Sequence, residues 1–371
     1  MKIGIVTEIS YRICNYGNVL QAYAMNRYLR NRYRCDVFTI ESVNKNNRIT
    51  SPLYIAKLLK RIILSVMKKK AGSKFSDEKI RRFKIFYDNN VPTYVIKNIS
   101  DLKNSKFDYV VVGADVVWHQ EHYFIDTLKF LEVNKYSDSI NFSYAASFGN
   151  EWIPDENKNA IVECLNNLAG VSVREASSIG LLNSIGVKDV VNVLDPVFLI
   201  NVNDWKAVAK KPDEIKCEKE NYVLVYLLSP VPYEIKVLEE IVRNTKLKCI
   251  VISYYKDDFI NYNIPFKCDI YNECSPEEWV WLMANANTVV TDSFHALAFS
   301  TIFERQFFVM NRKKMMRRLE MFLENIECEE RLVRSTDFNY KKFRKIDYKK
   351  INAILSEQKK KSIQYIENII I

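Results

Sequence analysis

Glycine is scarce in this chain and unevenly placed. The 371 residues include only 8 glycines, and none lies beyond Gly186. The sequence contains neither a Gly-x-Gly-x-x-Gly fingerprint nor a phosphate-loop motif. Because glycine is the residue that lets a backbone approach a diphosphate closely, these absences argue against a glycine-loop site for a dinucleotide or a nucleotide sugar, above all in the second half.

Metal-binding patterns are equally scarce. The 3 histidines and 8 cysteines are scattered, and no two cysteines form a Cys-x-x-Cys pair. His119 and His122, with Glu121 between them, have the spacing of a helical metal pair but lack a third ligand. We therefore expect no metal site and no disulfide framework, with reduced cysteines that are mostly buried.

Long apolar runs are also absent. No stretch reaches the roughly 18 uncharged apolar residues that a membrane-spanning helix needs. Met1–Val6 begins directly as a strand-like segment rather than as a signal peptide. These features predict a cytoplasmic protein.

Positive charge is concentrated in one block. The net charge is +10, and residues 45–106 hold 16 Lys or Arg against 4 Asp or Glu. Within the block, residues 53–70 have the pattern of an amphipathic helix with four cations on one side: Lys57, Lys60, Arg61 and Lys68. Such a helix either lies on the anionic inner face of the cytoplasmic membrane or is an ordinary core helix with a solvated face. Nucleic acid is not expected as a partner, because the block has no interleaved aromatic platform and no reading motif.

Apolar runs alternate with helical patterns along most of the chain. The expected strands are 3–7, 36–41, 109–113, 141–146, 171–174, 190–194, 222–228, 249–253, 288–290 and 307–310. The expected helices are 20–29, 160–168, 176–184, 234–243 and 276–286. Alternation of this kind predicts an α/β fold, with two Rossmann-like domains that face each other across a cleft.

The domain organisation follows from this alternation. Residues 1–200 are expected to form the first domain, with a basic helical insertion at 45–106, and residues 201–350 the second. The polar run 210–214 marks the neighbourhood of the boundary, and the alternative is a hinge nearer Asp195 and Pro196. Residues 351–371 are expected to form a C-terminal helix whose apolar positions pack elsewhere, for instance back on the first domain.

The segment 291–300 has the pattern of a strand end that turns into a helix. Asp292 or Ser293 is a suitable N-cap, and His295 falls in the first helical turn. A helix N-terminus has unpaired N–H groups and a partial positive charge, so this histidine is well placed beside a bound phosphate or carboxylate. The alternative is a capped core helix whose histidine only satisfies a hydrogen bond.

Two more loops follow strands, where ligands of open α/β sheets bind. Asp115 is a candidate general base, and Trp118 beside it offers an apolar face to a sugar; the alternative is that this aspartate is a helix cap. Arg174 suits a carboxylate or phosphate, which arginine binds bidentately, or else it pairs with Glu175.

The turn after the first strand is polar, and it suits the hydroxyl groups of a ligand or an anion unless it is a plain capped turn. Its candidate residues are Asn15, Gly17, Asn18 and Gln21. In the second half, Arg312 follows a strand as a further donor-side cation. The cations after it are expected to be mostly solvated: Lys313, Lys314, Arg317 and Arg318.

Taken in order, these loops resemble the polysaccharide pyruvyl transferase family. The matching segments are 15–24 (NYGNVLQAYA), 113–118 (GADVVW), 144–149 (YAASFG), 172–175 (SVRE), 193–196 (VLDP) and 291–300 (TDSFHALAFS). The set is specific as an ordered series and spans residues 1–330. The sequence departs from the family pattern at Ala114 and Val116, and at Asp292 and Ala296, where the family usually has Asn and Gly.

The resemblance implies a GT-B-like fold and transfer of a pyruvyl unit from phosphoenolpyruvate to a sugar, forming a cyclic ketal on a cell-surface polysaccharide or its lipid-linked precursor. It implies donor binding by Arg174, Ser293 and Arg312, with His295 as acid and Asp115 as base or acceptor-positioning group. The expected acceptor contacts are Asn15, Gly17, Asn18, Gln21 and Trp118. Phosphoenolpyruvate is the co-substrate, and no metal or other cofactor is required.

Two other functions remain open. A GT-B glycosyltransferase that uses a nucleotide sugar would have the same architecture, although the glycine-free second half argues against it. An inactive member of the same family that only binds glycans would keep the acceptor side without the chemistry.

Overall fold

The computed structural model describes most of the chain. The described residues are 1–43, 48–50, 74–119, 124–126, 128–131, 138–149, 151–228, 230–255, 264–311 and 316–371. The basic segment 53–70, His122 and Arg312 lie outside them.

The first sheet has five parallel strands in the spatial order β4-β2-β1-β5-β7. The strands of this half are β1 Lys2–Val6, β2 Asp36–Ser42, β3 Arg48–Thr50, β4 Thr93–Ile96, β5 Tyr109–Val112, β6 Phe124–Asp126, β7 Ile140–Ser143, β8 Ser172–Val173 and β9 Val191–Asn192. The short pair β8-β9 continues the sheet through a bridge between Ala146 and Val173, whereas β3 and β6 form a separate antiparallel pair.

The helices of this half are α1 Tyr16–Tyr33, α2 Asp77–Asn90, α3 Asp155–Asn166, α4 Ser177–Ser184 and α5 Val202–Val208. Strand β5 is buried along its whole length, as expected for a parallel strand covered on both faces.

The second sheet has six parallel strands in the order β12-β11-β10-β13-β14-β15. Its strands are β10 Tyr222–Leu227, β11 Lys248–Ser253, β12 Cys268–Tyr271, β13 Thr288–Thr291, β14 Gln306–Met310 and β15 Leu332–Val333. The helices of this half are α6 Pro232–Thr245, α7 Pro276–Asn285, α8 Phe294–Ile302, α9 Met316–Asn325 and the C-terminal α10 Tyr348–Glu367. The two parallel sheets confirm the predicted α/β class.

The edges of the sheets differ from the expectation. Residues 93–96, placed by the sequence in a helical insertion, form β4 at the edge of the first sheet, and 268–271 form β12 at the edge of the second. Both are four-residue strands with partly exposed side chains, so they lack the continuous apolar run that marks the central strands. The expected insertion is therefore not helical throughout.

Membrane-spanning helices were not expected, and none of the described helices is long and apolar enough to cross a membrane.

The two halves share a continuous apolar core. Tyr16 at the start of α1 stacks on Trp279 of α7 with ring centroids 5.2 Å apart, and its hydroxyl donates to the Cys274 carbonyl at 2.8 Å. Lys79 of α2 is also buried, because its ammonium donates to the Ser253 carbonyl at 2.6 Å and to the Tyr254 carbonyl at 3.0 Å. Aromatic burial and satisfied polar ends thus hold the halves together.

The charged side of this interface centres on Arg82 of α2. Its guanidinium donates to the Tyr271 hydroxyl at 2.9 Å and to the Glu278 carboxylate at 3.2 Å, and it also pairs with Glu214. The Glu278 side chain is only 5% exposed, so its charge depends on this partner.

The C-terminal helix α10 returns to the first sheet. The Tyr365 hydroxyl donates to the Ser143 carbonyl at 2.8 Å, and the Ser362 hydroxyl accepts from the Leu194 amide at 2.9 Å. The chain therefore crosses from the first sheet to the second and back again.

Removing the Arg82 charge should destabilise the protein. Arg82→Met leaves the Glu278 carboxylate buried without its cation, which should lower the free energy of unfolding by about 1–3 kcal/mol in a urea titration. The matched control is Arg81→Met, because Arg81 is exposed and binds Glu78 alone among the described carboxylates. Its effect should stay within about 0.5 kcal/mol, and equal losses in both variants would contradict this account of the interface.

Candidate functional site

Both sheets reverse their strand order at the same kind of position. In the first sheet, β2 and β4 extend the sheet on one side of β1, and β5 then lies on the other side of β1. In the second sheet, β11 and β12 extend one side of β10, and β13 lies on the other side of β10. Ligands of open α/β sheets bind at the carboxyl ends of the strands at such switch points. Here the two switch points face each other across a cavity of about 360 Å³, which we call the cleft, lined by residues that include Asn15, Asn18, Asp115, Ser293, His295 and Arg318.

The turn at Asn15–Asn18 is a network of side-chain hydrogen bonds. The Asn15 side chain caps α1 by accepting from the Asn18 amide at 3.2 Å. The Asn18 side chain accepts from the Ser10 amide at 2.9 Å and donates to Asp115 at 3.2 Å. The first-sheet wall of the cleft is therefore built before any ligand binds.

Gln21 supports this wall from behind. It is fully buried, and its amide donates to the Thr7 hydroxyl at 2.8 Å and accepts from the Ala114 amide at 3.3 Å. The structure thus corrects the expectation of a direct acceptor contact: Gln21 holds the loop that carries Asp115.

Gly17 lies against the imidazole of His295. A Cβ atom added at Gly17 would stand 2.0 Å from the His295 Nδ1, closer than any real contact. This glycine therefore makes room for a side chain of the other half, and the structure places no open space beside it for an acceptor hydroxyl.

Asp115 reaches the cleft from a sharply bent loop. Its φ of 60° lies in the left-handed region, which aspartate tolerates better than most residues. The Asp115 carbonyl accepts from the Val117 amide at 2.9 Å and the Ser147 amide at 3.2 Å, which fixes the bend. The carboxylate then lies between Asn18 and Arg174, 3.9 Å from the guanidinium.

Trp118 does not face the cleft. The indole is fully buried, its ring stacks on Phe130 at 5.6 Å, and its N–H donates to the Lys129 carbonyl at 2.9 Å. The expected sugar-stacking role is corrected, because both the ring and its polar atom are used by the core.

Arg174 is buried among acids. Its Nε donates to Glu175 at 3.0 Å and its Nη1 to Asp195 at 3.0 Å, and the guanidinium lies over the Phe294 ring at 4.9 Å. Burial lowers the pKa of Arg174, but the neighbouring carboxylates outweigh it and raise that pKa above its ordinary value. Among the described residues, Nη2 has no hydrogen-bond partner. One N–H edge, rather than a bidentate fork, is left for a ligand.

Asp195 joins Arg174 to His295. Its side chain is fully buried, and the oxygen that accepts from Arg174 also lies 3.5 Å from the His295 Nε2. Burial raises the pKa of Asp195, yet His295 and Arg174 outweigh that effect and lower it to about 2. In the sequence, Asp195 lies in the family segment 193–196, and no role was predicted for it.

The N-terminus of α8 opens onto the cleft. Ser293 is the N-cap residue in extended conformation, but within the described part of the chain its side chain makes no capping hydrogen bond. Asp292 also lines the cleft, and its carboxylate accepts from the Leu228 amide at 2.6 Å. The first-turn N–H groups and the positive end of the helix dipole therefore face the cavity.

Arg318 was expected to be solvated, and the structure corrects this. Its side chain is 17% exposed, lines the cleft and lies 4.0 Å from Glu175. The available signal was its position beside Leu319, which is buried on the inner face of α9. Arg312, the cation selected from the sequence, lies outside the described residues.

Two tyrosines that were not predicted as site residues form a wall of the cleft. Tyr254 and Tyr255 follow β11 directly and line the cleft, with ring centroids 4.6 Å apart. Phe75 packs on both rings, at 5.6 and 5.3 Å. Their place at the carboxyl end of a predicted strand was the signal that could have identified them.

Two Rossmann-like halves with a ligand cleft between their switch points define the GT-B-like class, and solved structures agree. The UDP-GlcNAc 2-epimerase of Methanocaldococcus jannaschii is similar at a TM-score of 0.56 and 14% identity, over 96% of this chain and 92% of that one. S. aureus MnaA, solved with UDP, is similar at a TM-score of 0.51 and 12% identity, over 100% of this chain and 97% of that one. The Neisseria meningitidis UDP-GlcNAc 2-epimerase bound to UDP-GlcNAc is similar at a TM-score of 0.50 and 10% identity, over 98% of this chain and 93% of that one.

The sequence itself identifies the family. The profile of the polysaccharide pyruvyl transferases matches residues 15–314, which is most of the chain. This protein therefore belongs to the polysaccharide pyruvyl transferase family, a family of transferases. No curated protein sequence matches it.

A methyl group at Gly17 should disturb His295. In Gly17→Ala the added Cβ would meet the imidazole, so the free energy of unfolding should fall by about 1–3 kcal/mol, although alanine favours a helix. Gly180→Ala is the matched control, because nothing lies within 4 Å of the added Cβ in α4, and it should raise stability by about 0.5–1 kcal/mol. Equal stabilisation of both variants in thermal melts would disprove the contact.

Proposed function

We propose that this protein transfers a pyruvyl unit from phosphoenolpyruvate to a sugar hydroxyl pair and forms a cyclic ketal. The observation that supports the proposal most is the position of two anion-binding features on the cleft, the guanidinium of Arg318 and the uncapped N-terminus of α8. The unpartnered Nη2 belongs to Arg174, which lines a smaller neighbouring cavity of about 110 Å³, and Arg318 lines both cavities.

Phosphoenolpyruvate carries two anionic groups, and the proposed donor site offers two kinds of partner. We assign the phosphate to the start of α8, with Ser293 and His295, because backbone N–H groups at a helix N-terminus bind phosphate. We assign the carboxylate to Arg174 and Arg318. Family membership supports this donor, since the family is named for pyruvyl transfer.

The charge of the site limits the donor. Three carboxylates lie within 4.0 Å of the two arginines: Asp115, Glu175 and Asp195. With His295 protonated, the positive charges of His295, Arg174 and Arg318 cancel the negative charges of the three carboxylates. A donor with several negative charges therefore needs further cations or protons. Arg312, which follows β14, is the cation that we propose from its position in the sequence.

The proposed chemistry uses one proton donor and one proton acceptor. His295 protonates the methylene carbon, which makes C2 electrophilic, and a sugar hydroxyl attacks C2 as it gives up its proton. Asp115 accepts that proton or positions the hydroxyl. Breaking of the bond between C2 and the phosphate oxygen releases phosphate, and attack by a second hydroxyl, whose proton passes to the departing phosphate, closes the ketal. The protein supplies position and charge to these steps, and the scheme needs no metal.

The proposed acceptor side combines polar groups with an aromatic wall. Asn15, Asn18 and Asp115 present amide and carboxylate oxygens, and Tyr254 and Tyr255 replace Trp118 as the rings on which a sugar packs. We propose a glycan or a lipid-linked oligosaccharide as the acceptor. Contact of residues 53–70 with the inner face of the cytoplasmic membrane, where such acceptors lie, is part of the same proposal.

A nucleotide-sugar glycosyltransferase is the second candidate. The fold favours it, because the similar structures include enzymes solved with UDP or UDP-GlcNAc. The absence of glycine after residue 186 argues against it, since a diphosphate needs close backbone approach or a larger set of cations. An inactive glycan-binding member would show acceptor binding alone.

Ligand-dependent melting separates these candidates. Millimolar phosphoenolpyruvate should raise the melting temperature of the parent protein, because it binds only the folded state. The rise should be lost in Arg174→Ala and reduced in Arg318→Ala. Arg317→Ala is the control, because Arg317 is 54% exposed and pairs with Glu324 instead of the cleft acids. A shift with UDP-GlcNAc and none with phosphoenolpyruvate would overturn the proposal.

The aromatic wall predicts a selective acceptor defect. Tyr255→Ala should raise the KM for the acceptor about tenfold, because a lost stacking contact costs roughly 1–1.5 kcal/mol, while the phosphoenolpyruvate-induced melting shift persists. The exposed Trp152 provides the control variant Trp152→Ala, which should keep the parental KM. An unchanged acceptor KM in Tyr255→Ala would remove the tyrosines from the acceptor site.

A further inference from the structure

The two oxygens of the Asp195 carboxylate have separate tasks. Oδ1 accepts from the Val197 amide at 3.1 Å and so caps the short helical turn at Pro196–Phe198. Oδ2 accepts from the Arg174 Nη1 at 3.0 Å and lies 3.5 Å from the His295 Nε2. Because the backbone holds one oxygen, the other is fixed in position for both side chains.

The two ring nitrogens of His295 face different surroundings. Nε2 is buried and makes no hydrogen bond with the described residues, and among their carboxylates only Asp195, with Oδ2 at 3.5 Å, lies within ion-pair distance of it. Nδ1 lies beside Gly17, where an added Cβ would stand 2.0 Å from it, and access to the ring is from the cleft, which His295 lines. In a neutral imidazole the hydrogen-bond partner of one nitrogen decides which nitrogen carries the hydrogen.

We propose that Asp195 is the positioning residue of this site: it accepts the Nε2 hydrogen of His295, which leaves Nδ1 as the nitrogen that exchanges a proton with the substrate, and it holds Arg174 through the same oxygen. The substrate in this statement rests on the proposed function. The arrangement of Asp195, His295 and Arg174 does not.

The surrounding charges favour Asp195 over the other carboxylates for this task. Glu175 binds the Nε edge of Arg174, and Asp115 is turned towards Asn18. Asp195 alone among the described carboxylates lies within ion-pair distance of His295. Burial raises the pKa of Asp195, but His295 and Arg174 outweigh that effect and lower it to about 2, so this carboxyl is ionised at neutral pH.

The position of Asp195 beside Nε2 determines which nitrogen of His295 gives up its proton in the proposed reaction. In the proposed reaction the proton on Nδ1 passes to the methylene carbon of phosphoenolpyruvate, and the acceptor hydroxyl returns a proton to the site. Nε2 keeps its hydrogen throughout, because Asp195 remains an anion on that side. Asp195 therefore never touches the reacting atoms.

Nitrogen NMR of the parent protein tests the proposal without any variant at position 195. The chain has only 3 histidines, so ¹⁵N-histidine labelling gives few signals, and loss of one set in His295→Gln identifies His295. At a pH where its ring is neutral, we expect the hydrogen on Nε2 and a bare Nδ1. A hydrogen on Nδ1 would overturn the proposal, whatever the activity of the protein.

The variant Asp195→Asn tests the consequence for turnover. Asparagine keeps an oxygen for the Val197 amide but removes the charge, so we expect kcat to fall by about 10²–10⁴-fold, the usual contribution of a positioned proton donor. The acceptor KM should change less than threefold, and the Nε2–H preference of His295 should be lost. Asp101→Asn, which removes an exposed carboxylate that accepts from the Asn98 amide, is the control and should keep the parental kcat.

Parental kcat together with the parental tautomer in Asp195→Asn would refute the role of Asp195. If this variant does not fold, the measurement on the parent protein still decides. If the parent forms no pyruvylated product but shows the Nε2–H tautomer, the proposed function fails while the positioning role of Asp195 stands.

Discussion

The structure depends on the neutralisation of one buried guanidinium. Arg174 cannot lie in the interior without anions around it, because an unpaired buried charge costs several kcal/mol. Its carboxylates come from different parts of the chain: the loop after β5, the position next to Arg174 itself, and the segment after β9. The requirement for charge balance thus brings three segments of the first half together at the cleft.

The same requirement reaches the second half through Asp195. Its oxygen lies beside both Arg174 and His295, so the start of α8 has a defined position relative to the first sheet. Gly17 permits this approach by lacking a Cβ atom. Further from the cleft, Lys79 and Arg82 satisfy carbonyls and acids of the second half. Ion pairs and hydrogen bonds thus join the two halves both at the site and along the interface further from the cleft.

Much of the architecture was predictable because central parallel strands and helix starts have strong local signals. The strand β5 is a pure apolar run, and the helix α7 begins with a capping box between Ser275 and Glu278, whose spacing is visible in the sequence. The location of His295 in a first helical turn followed from the same kind of signal. Edge strands such as β4 have weaker patterns and were missed.

The functions of single side chains were harder to predict, because direction and pairing are decided by tertiary contacts. A tryptophan after a strand has the same local sequence whether it faces a cleft or, like Trp118, stacks on Phe130. Arg318 looked solvated because its neighbours are cations, yet α9 turns it towards Glu175. Asp195 lies far in sequence from His295, and only the fold brings them together.

The return of α10 to the first sheet has a mechanical consequence. Because Tyr365 and Ser362 attach the end of the chain to the first half, two separate chain segments connect the halves. A movement of one half relative to the other must therefore bend both segments at once, so two connections restrain the halves more than one would.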